Sequence, residues 1–226
     1  MSSSLTGPTS TIVSSTCCPS RAETGPDIAV IACGALGARL RAVLAERRLR
    51  DCVEVHCLPP LLHNRPQLIA GEVERLARRL LESHAAVAVA YADCGTYGAL
   101  GEVCDRLGLA RLAGLHCYDV IAGADRVTEL MEDEPGTYLL TDFLLAGFRR
   151  LVVAELGLDR HPELRADYFG NYRRVVWLAE KPTEALEREA TAVAALMGLP
   201  LVVVPVGTES IDRELVALVE QAATRR

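Results

Sequence analysis

The sequence predicts a single α/β domain with a doubly wound (Rossmann-like), three-layer arrangement around a mainly parallel sheet of about seven strands. Two observations support this prediction. Short apolar runs alternate with segments whose apolar residues recur at helical spacing, which is the pattern of strand–helix–strand crossovers. Half of the 226 residues are apolar, so a sizeable core is available. No internal repeat is visible, and the pattern leaves the strand order open.

Strands are predicted at seven apolar runs. The first and third runs contain small and branched apolar residues, as buried strands do, whereas the second alternates between apolar and polar residues. The fourth run is weaker than the others. In chain order the runs are DIAVIAC, CVEVHCL, AAVAVAYA, RLAGLHC, GTYLLT, RVVWLA and PLVVVPV.

A helix is predicted after each strand. Leu36 and Leu40 begin the helical spacing of the first, Pro66 suits the first turn of the second, and Gly198 ends the sixth. Segment 159–173 is irregular and polar, with part of it compatible with a helix. The predicted helices cover 35–49, 66–84, about 98–107, about 118–131, 142–157, 183–198 and 213–224.

The ends and the overall charge of the chain narrow the class of protein. Residues 1–26 are rich in Ser, Thr, Pro and Gly, so we expect a disordered N-terminal tail followed by one domain over residues 27–226. The tail has no secretory-signal pattern, and no apolar run approaches the roughly 20 residues that span a membrane. A net charge of −6 argues against a general nucleic-acid surface. We expect a cytoplasmic protein that acts on a small molecule, and a homodimer is left open.

Three cysteines stand where a predicted strand leads into a helix: Cys33, Cys94 and Cys117. Such strand ends form the ligand-binding edge of a doubly wound sheet. If strands one, three and four are neighbours, their spacing of about 4.8 Å brings the three sulfurs together. Three thiolates suit a [4Fe-4S] cluster with one open iron, or a zinc ion with one open position. We therefore predict a metal site, with the cluster preferred and zinc as the alternative.

The structural alternative is that these thiols only pack, because cysteine is among the residues most often buried. The chain has no CxxC pair, and its cysteine spacing matches no standard ferredoxin or zinc-finger pattern. Cys52, Cys57 and Cys104 lie within or near predicted packed elements and are assigned to the core. The pair Cys17-Cys18 in the tail is interpreted as incidental.

Polar residues at the same edge are candidate catalytic and binding groups. His63 follows strand two and is a candidate ligand or general acid–base, with a helix cap as the alternative. Asp93 ends strand three and is either a base or an acceptor of backbone amide hydrogen bonds. Arg65 is a candidate clamp for a carboxylate or phosphate, and Asn64 and Tyr97 are predicted to join it in substrate binding.

Seven stretches, taken in order, resemble a prokaryotic family known as domain of unknown function 1638. They are IACGALG, LPPLLHNRP, VAYADCGTYG, LHCYDVIAG, EPGTYLLTDFL, LGLDRHPEL and YFGNYRRVVWLA, from about Ile31 to Ala179. The resemblance implies an association with corrinoid-dependent methyl transfer and so favours metal and one-carbon chemistry. The three-thiol arrangement is also similar in architecture, though not in sequence, to quinolinate synthase, where cysteines on α/β units hold a cluster with an open iron.

Three functions remain as hypotheses. The first is a metalloenzyme that acts on a small anionic molecule by non-redox chemistry, of lyase or methyl- or sulfur-transfer type. The second is a non-catalytic accessory protein that binds a metal or cofactor for a corrinoid or one-carbon system. The third is a thiol-based transferase with Cys94 as nucleophile and no metal, a role for which a strand-to-helix turn is well suited.

Overall fold

The computed structural model describes residues 26–225, and seven parallel strands form within them. The strands do not make one sheet. They divide into a four-stranded sheet of order β2-β1-β3-β4 and a three-stranded sheet of order β5-β6-β7. The α/β class is therefore confirmed, and the prediction of a single seven-stranded sheet is wrong. The predicted tail, with Cys17 and Cys18, lies outside the described residues except for Pro26.

The first sheet has two central strands, β1 and β3, whose residues are all buried. Ile28 of β1 is level with Val53 on one side and Ala86 on the other, so all three strands start at the same height. The strands are β1 (Ile28–Ala32), β2 (Val53–Cys57), β3 (Ala86–Ala90) and β4 (Ala110–Arg111), and the helices between them are α1 (Gly34–Glu46), α2 (Ile69–Leu80) and α3 (Ala99–Leu107).

The second sheet has its own apolar cluster, which surrounds the buried Trp177 of β6. Its strands are β5 (Thr137–Thr141), β6 (Arg174–Ala179) and β7 (Leu201–Pro205). The helices from β4 onward are α4 (Cys117–Ala122), α5 (Ala124–Asp133), α6 (Asp142–Phe148), α7 (Arg165–Phe169), α8 (Glu184–Met197) and α9 (Glu209–Thr224).

The sheets separate because the fourth apolar run does not continue as a strand. β4 has only two residues, and Gly114 then adopts a positive φ of 102°, which breaks the extended backbone. Leu115, which a longer strand would have buried, is 69% exposed. The chain then passes through α4 and α5 before it starts β5 as the first strand of a new sheet.

Helix α9 returns to the first sheet rather than the second. Ile211, Leu215 and Leu218 of α9 are buried in the core of the first sheet. Arg39 of α1 donates two hydrogen bonds to the Asp212 carboxylate, which ties α9 to α1. The first sheet is therefore completed by a helix that follows the second sheet in the chain.

Two predicted helices are interrupted. The helix expected over about 118–131 forms as α4 and α5, which are separated at Gly123, where φ is 88°. The helix expected over 142–157 is α-helical only to Phe148 and continues as a π-helical turn, Arg149–Val153. Within residues 26–225, no helix has the length and apolar character needed to cross a membrane.

The two sheets meet along a small apolar cluster. Val176 and Leu178 of β6 are buried there, and Tyr118 and Leu130 from α4 and α5 pack against them. Beside this contact a cleft opens between segments that follow β2 and β5, so the carboxyl ends of strands from both sheets supply its walls.

Candidate active site in the cleft between the two sheets

The strand order brings Cys33, Cys94 and Cys117 to one region of the sheet edge. They follow β1, β3 and β4, which are neighbours in that order. Burial raises the pKa of the Cys33 thiol to about 12, and the charge of Cys94 adds to this rise. Contact with Cys94 and burial, together with the charge of Cys33, raise the pKa of Cys117. Each of the three thiols therefore lies within electrostatic reach of the other two.

Cys94 occupies a strained turn. Its φ is 51°, in the left-handed region that costs a non-glycine residue roughly 1 kcal/mol. The Asp93 carboxylate holds the turn, because it accepts hydrogen bonds from the Thr96 hydroxyl at 2.7 Å and from the amides of Tyr97 and Gly98 at 2.9 Å each. Of the two roles predicted for Asp93, this geometry supports the acceptor of amide hydrogen bonds.

The same turn is fastened to the segment before Cys117. The Asp93 amide donates to the Gly114 carbonyl at 3.1 Å, and the Cys94 amide donates to the Leu115 carbonyl at 2.7 Å. These two bonds continue the pairing of β3 with the next segment beyond the end of β4. As a result Cys117, at the start of α4, lies beside Cys94.

Cys94 is the thiol most readily ionised of the three. Interaction with the Cys117 thiol lowers the pKa of Cys94 to about 5, although burial opposes the shift. The His63 side chain and the Cys117 backbone amide lower the pKa further. The ordinary pKa of cysteine is about 8.5, so this lowered pKa favours the thiolate form of Cys94 at neutral pH.

His63 lies in the 3₁₀ turn Pro60–Asn64 that follows β2. Its Nδ1 is 3.1 Å from the Pro60 carbonyl oxygen, so this nitrogen carries a proton and donates a hydrogen bond to that oxygen. Its Nε2 is buried and has no close hydrogen-bond partner within residues 26–225. Burial lowers the pKa of His63, but the Cys94 sulfur and the Pro60 carbonyl together raise it by more, so the net shift is upward. The shifts of both groups favour a thiolate–imidazolium pair.

Tyr91 is a member of this site that the sequence analysis did not identify. It is 0% exposed, and its ring stacks on His63 with centroids 5.8 Å apart. Its hydroxyl has no hydrogen-bond partner among the described residues. Burial and the charges of Cys33 and Cys94 raise its pKa. The sequence feature that could have identified Tyr91 is its large polar ring near the end of AAVAVAYA, a run of otherwise small residues.

Cys33 has a structural role in the first sheet. It is fully buried, and its sulfur caps α1 by accepting a hydrogen bond from the Leu36 amide at 3.4 Å. Cys52 and Cys104 are buried in the same core, as predicted. Cys57 is exposed, which corrects its assignment to the core, because β2 is the edge strand of its sheet.

A cavity of about 220 Å³ lies beside the thiol pair. His63, Asn64 and Cys117 form part of its wall from the first sheet, and Thr141 contributes a hydroxyl from the second. Among the residues that the structure describes, no Lys, Arg, Asp or Glu side chain lines it. The rest of the wall is apolar or aromatic and includes Leu61, Tyr118, Tyr138, Phe143, Leu144, Leu151 and Val152.

The other predicted binding residues lie away from this cavity. Arg65 is exposed and does not line it, and Tyr97 is 97% exposed on the outside of the Cys94 turn. Asn64 alone of the three predicted substrate-binding residues forms part of the wall. Over the described range 26–225, no set of three or more His, Cys, Asp or Glu side chains is arranged to hold a metal ion.

The fold and the site define an α/β protein with two parallel sheets and a cleft lined by His63 and Cys117, with Cys94 next to Cys117. Residues 57–215 match the family described as "Protein of unknown function (DUF1638)", and the chain belongs to that family. The match includes His63, Cys94 and Cys117 but not Cys33, so it begins later than the resemblance inferred from the sequence. Searches of curated proteins and of solved structures found no match.

Proposed function

We propose that this protein is a group-transfer enzyme in which Cys94 is the nucleophile and His63 the general acid. The observation that supports the proposal is the pairing of Cys94, whose pKa is lowered to about 5, with His63, whose pKa is raised and whose side chain lines the cavity. A nucleophile held next to a proton donor is the arrangement that covalent catalysis by cysteine requires.

The turn keeps Cys94 reactive by its backbone geometry. A positive φ places the thiolate on a sharp bend between β3 and α3, as strained nucleophile turns do in other α/β enzymes. The Asp93 carboxylate and the Leu115 carbonyl hold that bend from both sides. Asp93 therefore acts as a positioning residue in this proposal.

The cavity wall favours an uncharged, largely apolar substrate. Tyr118, Tyr138 and Phe143 present aromatic surface, and within residues 26–225 neither Arg65 nor any other arginine or lysine reaches the wall. This replaces the small anionic molecule that the sequence led us to expect. At about 220 Å³ the cavity is smaller than the roughly 300–1,000 Å³ of drug-sized sites, so the substrate is small.

The first chemical step consumes one thiolate and one proton. The Cys94 sulfur attacks an electrophilic carbon of the substrate, and a carbon–sulfur bond forms. The bond to the leaving group breaks, the leaving group departs with the electron pair, and it takes the proton from the His63 imidazolium. In the second step neutral His63 removes a proton from water or another acceptor, which attacks the same carbon and releases the Cys94 thiolate.

A small acyl donor tests the proposal. We expect p-nitrophenyl acetate to acetylate Cys94 in the full chain, as shown by peptide mass spectrometry, and to release nitrophenol in a burst. Cys94→Ser and His63→Asn should lose the burst. Cys57→Ser is the control, because Cys57 is an exposed thiol that does not line the cavity, and its loss should leave the burst intact. Acetylation of Cys57 in place of Cys94 would overturn the proposal.

A second candidate function is the metal-dependent enzyme, or metal-carrying accessory protein, predicted from the sequence. It is supported by the adjacency of β1, β3 and β4, which delivers Cys33, Cys94 and Cys117 to one region. In the conformation described, however, only Cys94 of the three has a pKa shifted toward the thiolate, and no group within residues 26–225 has a metal-binding arrangement.

Metal analysis separates the two candidates. The metal-dependent function requires protein prepared without oxygen to contain iron and sulfide, or zinc, in stoichiometric amount. Cys33→Ser should then remove the metal, because the buried Cys33 would be one of three ligands. In the thiolate enzyme Cys33 only caps α1, so Cys33→Ser should leave acetylation of Cys94 intact.

A further inference from the structure

We infer that Cys94 and Cys117 form a reversible oxidation site, in which a hydroperoxide converts Cys94 to a sulfenic acid and Cys117 closes a disulfide with it. Cys94 and Cys117 pack against the same core cluster, and the Cys94 amide is bonded to the Leu115 carbonyl, two residues before Cys117, so the two thiols are neighbours in the reduced protein. This inference goes beyond the proposed function, because it requires no substrate in the cavity.

The backbone around the pair is compatible with a disulfide. Hydrogen bonds of 3.1 Å and 2.7 Å join Asp93 to Gly114 and Cys94 to Leu115, as between neighbouring strands. Strand neighbours are about 4.8 Å apart, and disulfides join residues whose Cα atoms are about 4.4–6.8 Å apart. Cys117 lies two residues beyond Leu115, at the start of the six-residue helix α4, so these bonds hold the backbone segments that carry both cysteines together.

Solvent exposure distinguishes Cys94 and Cys117 from Cys33, the third thiol in this region. Cys94 and Cys117 are partly exposed, and Cys117 lines the cavity, which a small peroxide can enter. Cys33 is 0% exposed, and its sulfur is engaged as the cap of α1. Cys117 is therefore the better partner for an oxidised Cys94, although Cys33 is within electrostatic reach.

The reaction balances with hydrogen peroxide as the oxidant. The Cys94 thiolate attacks one peroxide oxygen, a sulfur–oxygen bond forms, and the oxygen–oxygen bond breaks; the departing hydroxide takes a proton from His63 and leaves as water. The Cys117 sulfur then attacks the Cys94 sulfenic acid. A sulfur–sulfur bond forms, the sulfur–oxygen bond breaks, and the second hydroxide leaves as water with the proton that Cys117 loses.

The test is peptide mapping of the full-length protein before and after limited hydrogen peroxide treatment, with free thiols blocked before digestion. We expect one new disulfide, between Cys94 and Cys117, that dithiothreitol reverses. In Cys117→Ser the sulfenic acid should persist, and its trapping by dimedone should rise by about tenfold. Cys104→Ser is the matched control, because Cys104 is a buried thiol in the same core and its loss should change neither result.

Three outcomes would overturn the inference: a Cys33–Cys94 disulfide, irreversible oxidation of Cys94 with Cys117 still reduced, or no oxidation of Cys94. The readout in the unsubstituted protein decides the matter even if Cys117→Ser fails to fold. The acetylation experiment is independent of this one, because it measures nucleophilic attack on carbon. If one of the two experiments gives a negative result, the result of the other is therefore still valid.

Discussion

His63 and Tyr91 stack with their ring planes 13° from parallel and their centroids 5.8 Å apart. The contact joins the 3₁₀ turn after β2 to the end of β3, across the strand β1 that lies between them. Each ring also has a buried polar atom without a close partner in the described part of the chain: Nε2 of His63 and the hydroxyl of Tyr91. Buried polar atoms are usually paired, so two unpaired groups beside Cys94 support the proposed site.

The Tyr91 hydroxyl makes no hydrogen bond within residues 26–225 that would contribute to stability. Tyr91→Phe removes a buried donor without breaking a pair, so we expect the free energy of unfolding to stay equal or to rise by up to about 1 kcal/mol. Urea denaturation measures this change. Tyr118→Phe is the matched control, because the Tyr118 hydroxyl donates to the Leu139 carbonyl at 3.4 Å and its removal should be destabilising. A loss above about 1 kcal/mol for Tyr91→Phe would show that its hydroxyl is paired.

The Cys117 thiol is the largest influence that lowers the pKa of Cys94. Cys117→Ala removes that donor but keeps the backbone amide, so the pKa of Cys94 should rise from about 5 toward its ordinary value. The rate of iodoacetamide labelling at Cys94, followed against pH by peptide mass spectrometry, reports this shift. Cys104→Ala is the control and should leave the labelling profile unchanged. An unshifted profile in Cys117→Ala would mean that the thiol pair does not form.

The Asp93 carboxylate stabilises the Cys94 turn through three hydrogen bonds. Burial raises its pKa, but these hydrogen bonds outweigh burial and the net pKa is lowered. The stabilisation is therefore present above the unfolded-state pKa of about 3.9 and is lost as pH falls through the lower folded-state value. Asp93→Ala should cost about 1–3 kcal/mol at neutral pH in urea denaturation. A variant as stable as the unsubstituted protein would contradict the assigned role.

Glu180 gives a pH dependence of the opposite sign. Burial, followed by the negative charge of Asp142, raises its pKa to about 7. A carboxyl group whose pKa is raised on folding destabilises the folded state once it ionises in the unfolded chain, so stability should fall as pH rises from about 4 toward about 7. Glu180→Gln should remove this fall, as measured by thermal unfolding at a series of pH values. A fall of the same size in Glu180→Gln would assign it to another group.

The ion pair of Arg39 and Asp212 should be worth more than one on the surface. The two side chains are 11% and 21% exposed, and Arg39→Met would leave the Asp212 carboxylate partly buried without its partner. We expect a loss of about 1–3 kcal/mol in urea denaturation. Arg75→Met is the control, because Arg75 pairs with Glu72 on an exposed helix face, and it should cost less than about 1 kcal/mol. Equal losses would mean that α9 does not depend on this pair.

The strands could be predicted well because apolar runs report local burial directly. Runs such as IAVIA and AVAVA are suited to burial in the middle of a sheet, and both form central strands. The division into two sheets was not predictable in the same way. It depends on which strands pair, and the local sign was a single glycine, Gly114, within a run that otherwise resembles a strand.

The site could be predicted in part for a similar reason. Parallel topology places the residues after each strand at one edge, so the meeting of Cys94 with Cys117 and His63 follows from chain order and strand adjacency. The direction in which each side chain points does not follow from the parallel topology. Arg65 and Tyr97 occupy the right loops but are exposed, whereas Tyr91, one position beyond β3, is buried within the site.

The pH dependence of Cys94 alkylation in the unsubstituted protein tests the central claim most directly. Iodoacetamide reacts with the thiolate, so its rate at Cys94 reports how much of that thiol is ionised. We predict a midpoint near pH 5, with labelling of the exposed Cys57 as the internal comparison in the same digest. A midpoint for Cys94 near the ordinary cysteine value of about 8.5 would contradict the thiolate and the catalytic role assigned to it.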